Sequence, residues 1–550
     1  MLLSFIFNIL TYLSIVGFSF IFLKYILNKK IFYISNLDVF FGLFLLFILS
    51  IIINLFVAIG NIQYFIFIVG LYFFYVSFKS RNLKINFINI IILILIFTFI
   101  SFYSNNNVDS PMYHLQILQW LINDKAVFGL SNLEIRFGTN SSWHSIVAIL
   151  NINFLEYSTQ HYLSAIILAI GLNEVFEHKN DKIQFSYLFL NVSFVILILF
   201  SLIHPYKNGV ILNHLGNAEL DIAPMIFFIL SIYVLINFYI NKDNKNLFYL
   251  YCVLSFICIT SRMVYAPLLL PILFHYFGSP IIKTKENIIL FFASFLWLLK
   301  SFINSGCLIF PYKLTCIDTS WSPGIEKIDY FLKEAMSFAR DTPLRAKYTN
   351  FDYTLGSMDW LMPWYEQYFL VNAFLSIFTT ISVISMILIF YYLIIKKINN
   401  QKFLIIECNR QIFLILVASL LLWFTAPEIR LGWGVLIAFP AFVFCYSINL
   451  NFKNFIKKTF VFKCLLIFQV LLMLGLFSKN FKNFNHKDFF VLDNKGFNYS
   501  QIKELGVYDN HKIYISNNQQ CAEFKGFCVN RPRKNYKIKE IYGYKIINGK

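Results

Sequence analysis

Residues 39–59 read VFFGLFLLFILSIIINLFVAI, an apolar run that contains no charged side chain. A helix needs about 20 apolar residues to cross about 30 Å of hydrocarbon, and this run is long enough. Comparable runs recur along most of the chain, and together they predict an all-α polytopic membrane protein with about 12–14 membrane-spanning helices. The predicted spans lie near 4–27, 39–59, 62–78, 86–103, 160–175, 184–203, 220–241, 246–260, 263–278, 286–303, 367–395, 411–426, 433–449 and 459–477.

The composition supports this interpretation. Of the 550 residues, 58% are hydrophobic and 13% are charged, whereas an ordinary soluble protein carries about 25% charged residues. The composition therefore excludes a cytosolic enzyme, a secreted disulfide scaffold and a disordered chain. The formal net charge is +18, but Lys and Arg lie mainly between the apolar runs and in the tail. Membrane topology and lipid headgroups account for that pattern, so we expect no nucleic-acid partner. No cleavable signal peptide is expected at the start.

The positive charges also predict the orientation and the domains. If fourteen spans are counted, the Lys clusters of the short connections fall on one side, which we expect to be the cytoplasm. The long connections 104–159 and 304–366 then lie on the outer face. We expect N-terminal membrane helices over 1–84, a membrane core over 85–477 and a small outer domain with β or α/β structure over 478–550.

The cysteines give an independent indication of the outer face. Cys307 and Cys316 fall in one outer connection, and Cys521 and Cys528 fall in the tail. Two short-spaced pairs confined to the oxidising side are typical of disulfides. Chance placement is the alternative.

The first outer connection contains an acid followed by a predicted helix. Ser110 is a good N-cap and Pro111 suits the first helical position. Apolar residues then recur at helical spacing, and this predicts an amphipathic helix that lies flat in the membrane interface. Asp109 either complements the dipole of this helix or serves as a general base or metal ligand. The other side of the predicted helix carries His114, Gln116, Gln119 and Asn123.

A second acid and two arginines also fall at outer ends of predicted spans. Asp221, which follows Glu219, either begins a helix or is a second functional acid. Arg262 and Arg430 lie in tight outer turns between spans. They either anchor the interface, with Glu428 as a partner for Arg430, or hold a phosphate through two parallel hydrogen bonds.

Four short motifs in this order resemble the GT-C superfamily of integral-membrane glycosyltransferases. The nearest likeness is to bacterial multi-pass members similar to the protein mannosyltransferase and aminoarabinose transferase group. The likeness covers roughly residues 85–440 as scattered motifs, and a branch with a cysteine pair near its C-terminus fits best. The motifs are Tyr113-His-Leu with Trp120, Glu219-Leu-Asp221-Ile-Ala-Pro, Lys300-Ser-Phe-Ile-Asn304-Ser-Gly-Cys-Leu-Ile-Phe-Pro311, and Pro427-Glu-Ile-Arg430-Leu-Gly-Trp.

The resemblance implies an inverting transfer of a sugar from a polyprenyl-phosphate carrier. The acceptor would be a cell-surface glycan, lipid or protein, and the active site would face the periplasm from the bacterial inner membrane. Asp109 would be the base, and Asp221 would hold the acceptor or a divalent cation, Mg²⁺ or Mn²⁺. Ser110 stands where many relatives have a second acid, so the resemblance leaves metal dependence open. Further residues expected to bind substrate are Tyr113, His114, Glu219, Arg262 and Arg430.

Other functions stay open at this point. A polymerase or ligase of lipid-linked polysaccharide would use the same carrier, and a transporter or flippase of lipid-linked glycan is the rival from another class. A non-catalytic assembly scaffold is a third alternative. His114, His144 and His214 lack the spacing of a zinc motif, so no zinc site is expected.

Overall fold

The computed structural model is mostly helical and has a small C-terminal sheet. It describes the chain except residues 30–32, 105–108, 155–156, 159–160, 177–184, 204–213, 241–243, 279–284, 343–346, 372, 399–406, 452–466, 473, 476–477, 479–501, 510, 517–519, 530–536 and 549–550. The helices are α1 (Leu2–Ile21), α2 (Val39–Phe56), α3 (Gln63–Lys79), α4 (Phe87–Phe102), α5 (Leu115–Asn123), α6 (Ser142–Ile149), α7 (Leu163–Phe176), α8 (Phe185–Ile203), α9 (Ile222–Ile240), α10 (Lys245–Ser261), α11 (Leu269–Gly278), α12 (Lys285–Ser305), α13 (Ile325–Arg340), α14 (Leu361–Trp364), α15 (Ala373–Ile398), α16 (Glu407–Thr425) and α17 (Ile429–Asn451).

Among the described residues, 5 helices are long and apolar enough to cross a membrane. They contain α1, α2, α9, α12 and α17. Eight further apolar helices have 10–17 residues and coincide with other predicted spans. The span predicted near 459–477 lies largely outside the described residues. Several apolar helices of this kind are consistent with a membrane protein.

The centre of the helical bundle is α9, which is apolar on every side. In an 18-residue stretch of α9, 94% of the residues are buried, as expected for a helix without a polar face. In a stretch of the same length in α12, only 39% of the residues are buried. Large apolar side chains of α12, such as Ile288, Phe291 and Phe295, point outward. Such an exposed apolar face suits a hydrocarbon environment.

Contacts between connections occur at both ends of the bundle. At one end, Lys29 Nζ donates to Asn246 Oδ1 at 2.9 Å, so the connections after α1 and before α10 meet. At the opposite end, Phe128 of the first long connection pairs through its backbone with Lys545 and Ile547 of the tail. The segments predicted to share the outer face are therefore in contact.

The tail forms two small sheets. Strands β1 (Asn153–Phe154) and β2 (Tyr157–Ser158) pair with each other before α7 and do not belong to the tail. The strands of the tail are β3 (Ile502–Tyr508), β4 (His511–Ser516), β5 (Phe527–Val529), β6 (Lys537–Ile541) and β7 (Tyr544–Asn548). Strand β4 pairs antiparallel with β3 and parallel with β5, whereas β6 and β7 form an antiparallel hairpin. Disulfides join Cys307 to Cys316 and Cys521 to Cys528.

The predicted interfacial helix differs from the structure in two respects. Ser110 is not the N-cap; it is the first residue of a π-helical segment, Ser110–His114, that leads into α5. The tail also covers part of the polar face of α5 at Gln116, whereas Asn123 at the end of this helix is exposed. Gln116 Nε2 donates to the backbone carbonyls of Cys521, Ala522 and Phe524, at 2.8 to 3.4 Å. These partners lie some 400 residues further along the chain, and no local pattern predicts them.

Candidate functional site

The turn between α16 and α17 positions Arg430. Helix α16 ends at Thr425, and α17 begins at Ile429. Pro427 lies between them and prevents a continuous helix, because it has no backbone N–H. Trp423 Nε1 donates to the carbonyl of Glu428 at 2.8 Å and holds the turn closed. Arg430 therefore projects from the first turn of α17 at the end of the bundle that carries the long connections.

Arg430 meets three carboxylates there. Its Nη2 lies 2.9 Å from Asp109 Oδ2, and its Nη1 lies 3.9 Å from Asp221 Oδ2. Its Nε lies 3.8 Å from Glu428 Oε1. Asp109 and Arg430 are 321 residues apart in sequence, yet they form a direct hydrogen bond. The guanidinium thus joins acids from three separate segments.

Arg262 completes this network from the end of α10. Its Nη2 lies 2.6 Å from Asp221 Oδ1, and its Nη1 donates to the carbonyl of Arg430 at 2.8 Å. Asp221 is 5% exposed, whereas the side chains of Asp109 and Arg430 are 30% and 26% exposed. Solvent therefore reaches Asp109 and Arg430, and Asp221 lies behind them.

The acids differ in their protonation behaviour. Burial alone would raise the pKa of Asp221, but Arg262 and Arg430 hold it well below its ordinary value. Burial raises the pKa of Glu219 to about 7, although a hydrogen bond from His214 opposes the shift. Asp221 therefore stays ionised near neutral pH, whereas Glu219 titrates there.

His214, Glu219 and Asp221 form the candidate cation cluster of the described residues. One ligand atom from each lies within 4.8 Å of the others, and His214 Nδ1 is 3.1 Å from Glu219 Oε2. The donor types suit a divalent cation. However, Arg262 already occupies Asp221 Oδ1, so a cation would compete with a guanidinium. This arrangement does not fit a resident metal well, and no chemical step below depends on one.

Two buried histidines lie beside the acids. His114 Nδ1 is 2.9 Å from His144 Nε2. Burial lowers the pKa of His114 to about 3 and keeps that of His144 well below its ordinary value, so both rings are neutral near pH 7. Tyr113 stacks under Arg136, with the guanidinium carbon 5.0 Å from the ring centroid. The sequence signals no contact between the histidines, which are 30 residues apart.

The structure brings most of the expected site residues together. Asp109, Asp221, Arg262 and Arg430 share one network, Glu219 joins it through Asp221 and His214, and Tyr113 and His114 lie in the adjacent π-helical segment. The sequence did not single out His214 as a partner of Glu219. Its only signal is the His214-Leu-Gly-Asn-Ala-Glu219 spacing ahead of α9. The four disulfide cysteines lie outside this network.

The arrangement offers an accessible carboxylate next to an accessible guanidinium. A carboxylate can accept a proton from a hydroxyl, and a guanidinium can bind a phosphate or another anion. The ion pairs behind them fix both groups in place. Such a site can align a hydroxyl with a phosphate-bearing substrate.

The family of the chain follows from comparison with known proteins. A family model described as Domain of unknown function (DUF8201) matches residues 1–437, which include the entire ion-pair network and exclude the C-terminal sheets. No curated protein and no solved structure matches the chain. The chain belongs to the DUF8201 family.

Proposed function

We propose that the protein is a GT-C-like glycosyltransferase that moves a sugar from a polyprenyl-phosphate carrier to a cell-surface acceptor. The observation that carries the proposal is the convergence of Asp109, Asp221, Arg262 and Arg430 at one end of an apolar helical bundle. A sugar on a lipid phosphate already has a good leaving group. The enzyme then has to align a hydroxyl, remove its proton and stabilise the phosphate charge.

The two aspartates would have different roles because their surroundings differ. Asp221 is buried and paired with Arg262, so it is a poor base and instead holds both arginines in position. Asp109 is more exposed and has a single ion pair among the described residues, with Arg430. Asp109 is therefore the candidate base.

Binding of the lipid-linked sugar donor would free Asp109 from its ion pair with Arg430. In the structure Arg430 Nη2 binds Asp109 Oδ2. A phosphate that forms two parallel hydrogen bonds with the guanidinium would compete with that carboxylate. Asp109 would then be free to accept the proton of the acceptor hydroxyl. Donor binding and base activation would thus be coupled through one side chain.

The proposed location in a membrane is supported by the apolar helices, and the proposed orientation is supported by the segments found at each end of the bundle. We place the protein in the bacterial inner membrane as a polytopic protein, with the network facing the periplasm. Disulfides close to this end, Cys307–Cys316 and Cys521–Cys528, suit an oxidising compartment. A lipid-linked donor would reach the network at the level of the headgroups.

The test compares surface glycans, by mass spectrometry, between cells with and without the gene. The proposal expects a sugar or a repeat unit to be missing from cells without the gene, and restored by the wild-type gene. Loss of polymer length with all sugars retained would favour the polymerase or ligase alternative. An unchanged set of glycans would contradict the proposal.

A further inference from the structure

A polar cavity lies beside the ion-pair network, between α2, α5, α6 and α12. Most of its lining residues carry polar groups, and five apolar side chains complete the wall. The polar groups include Asn54, Lys125, His144, Lys300 and Asn304, together with the indole of Trp120. Most of this lining is buried, and the part-exposed residues Lys125, Thr139 and Asn140 mark its opening.

The most unusual member of the lining is Lys300. It is 3% exposed, and its Nζ donates to Asn54 Oδ1 at 2.6 Å. The amide orientation of Asn54 is well determined, because its Nδ2 donates to the carbonyls of Leu121 and Asp124. Among the described residues, no carboxylate lies within ion-pair distance of Lys300. Burying a charged ammonium group without a carboxylate partner costs free energy, unless the negative charge of a ligand compensates it.

Three further polar atoms around this cavity have no hydrogen-bond partner among the described residues. They are Trp120 Nε1, His144 Nδ1 and Asn304 Oδ1. Each of these residues is at most 5% exposed. Buried polar groups in native proteins are nearly always hydrogen-bonded, so an unpaired group needs an explanation. Three such groups around one cavity with a buried lysine point to a ligand.

The balance of donors and acceptors indicates the chemical class of that ligand. An ammonium has three N–H donors, of which Lys300 uses one on Asn54, and Trp120 adds an indole N–H. Of the unpaired buried atoms in the described residues of the lining, Asn304 Oδ1 can only accept, and His144 Nδ1 accepts or donates according to its tautomer. Donors therefore exceed acceptors among these buried groups, and a protonated Lys300 adds a positive charge. Lys125 places a second cation at the opening, which favours entry of an anion.

We propose that this cavity binds an oxyanion group, a phosphate or a carboxylate, through Lys300 and the indole of Trp120. The site is separate from the arginines of the ion-pair network and does not depend on the proposed transfer reaction. The cavity lies next to the segment that follows Asp109, because His144 lines the cavity and its Nε2 contacts His114. Lys300 and Asn304 stand one helical turn apart on α12, and this places both on the same face, toward the cavity.

The test measures the unfolding temperature of the purified full-length protein in detergent. Sodium phosphate, sodium acetate and dodecyl phosphate are titrated against sodium chloride at equal ionic strength. The wild type should show a saturable rise with at least one oxyanion. Lys300→Met should weaken the apparent affinity by about tenfold or more, because it removes a charge-assisted hydrogen bond. Lys313→Met, at a half-exposed lysine paired with Asp329, is the control and should respond like the wild type.

The choice of oxyanion distinguishes the sources. Tighter binding of dodecyl phosphate than of inorganic phosphate would indicate a lipid headgroup, and the reverse would indicate a soluble phosphate. Preference for acetate would indicate a carboxylate. A wild type that no oxyanion stabilises beyond chloride would overturn the proposal, and so would equal phosphate responses of wild type and Lys300→Met.

A second variant keeps the test decisive if Lys300→Met does not fold. Asn304→Asp adds a carboxylate beside Lys300 and supplies the missing negative charge from within the chain. The variant should unfold at a higher temperature than the wild type without ligand, and it should lose the response to phosphate. An Asn304→Asp protein that is less stable than the wild type and still responds fully to phosphate would contradict the proposal.

Discussion

Replacement of Asp221 by asparagine should destabilise the protein much more than the same replacement at Asp109. Asp221→Asn removes the negative partner of Arg262, whose Nη2 lies 2.6 Å away, in a place where the two side chains are only 5% and 14% exposed. The guanidinium is then left largely buried without its acid. Breaking a buried ion pair in this way costs about 3–5 kcal/mol.

Asp109→Asn should cost much less stability. Asp109 and Arg430 are 30% and 26% exposed, and Arg430 keeps Asp221 and Glu428 nearby after the change. Solvent-exposed ion pairs contribute about 0–1 kcal/mol, so a loss near the upper end of that range is expected. If Asp109 is the base, this variant should nevertheless lose transfer activity, because an amide cannot take up the proton.

The assay is equilibrium unfolding of each purified variant in mixed micelles, followed by tryptophan fluorescence. Asp329→Asn, on α13, is the matched control, because the ion-pair partners of Asp329 among the described residues are two half-exposed lysines. The free energy of unfolding should fall several times more for Asp221→Asn than for Asp109→Asn. Equal losses for the two variants, or an Asp221→Asn protein as stable as the wild type, would refute the assignment of Asp221 as the buried anchor.

Three further outcomes are expected. Burial raises the pKa of Glu219 from 4.5 to about 7, so its protonated form stabilises the folded state at low pH and that stabilisation is lost as the pH rises through about 7. Glu219→Gln should flatten the fall in unfolding temperature between pH 4.5 and about pH 7. A curve as steep as that of the wild type would contradict the raised pKa of Glu219. Gln116→Ala should loosen the tail, since three backbone carbonyls lose their donor, and limited proteolysis should then release the C-terminal sheets sooner; an unchanged cleavage rate would count against this contact. Gly17→Ala should destabilise the packing of α1 on α3, because its Cβ would come within 1.9 Å of Gly70 O, whereas Gly356→Ala meets only ordinary contacts and should be neutral in thermal unfolding; equal unfolding temperatures would exclude this close approach.

Much of the helical framework could be predicted from the sequence, because apolar runs of sufficient length leave few alternatives to a helix. The run at 39–59 corresponds to α2, and the tight turns around Arg262 and Arg430 follow from short connections between apolar runs. Charge placement in those connections predicted which ends of the helices lie together. This is why Asp109 and Arg430 could be expected on one side, although they are 321 residues apart.

Local sequence patterns could not predict which contacts individual side chains make. The helical spacing of α5 predicted an apolar and a polar face, but it could not indicate that the tail covers Gln116 on the polar face. Gln116 binds carbonyls 405 to 408 residues away. Likewise, the sequence motif that contains Lys300 suggested no role for this lysine. Only the packing of α2 against α12 brings Asn54 to its ammonium group. Long-range pairs of this kind depend on the assembled fold.

Surface glycans of complemented cells test whether Asp109 takes the proton of the acceptor hydroxyl at the outer face. Cells that lack the gene would receive the wild type, Asp109→Asn or the control Asp329→Asn, at equal membrane levels. We expect that the wild type and the control restore the missing sugar or unit, and that Asp109→Asn does not. Full restoration by a well-folded Asp109→Asn protein would contradict this role of Asp109.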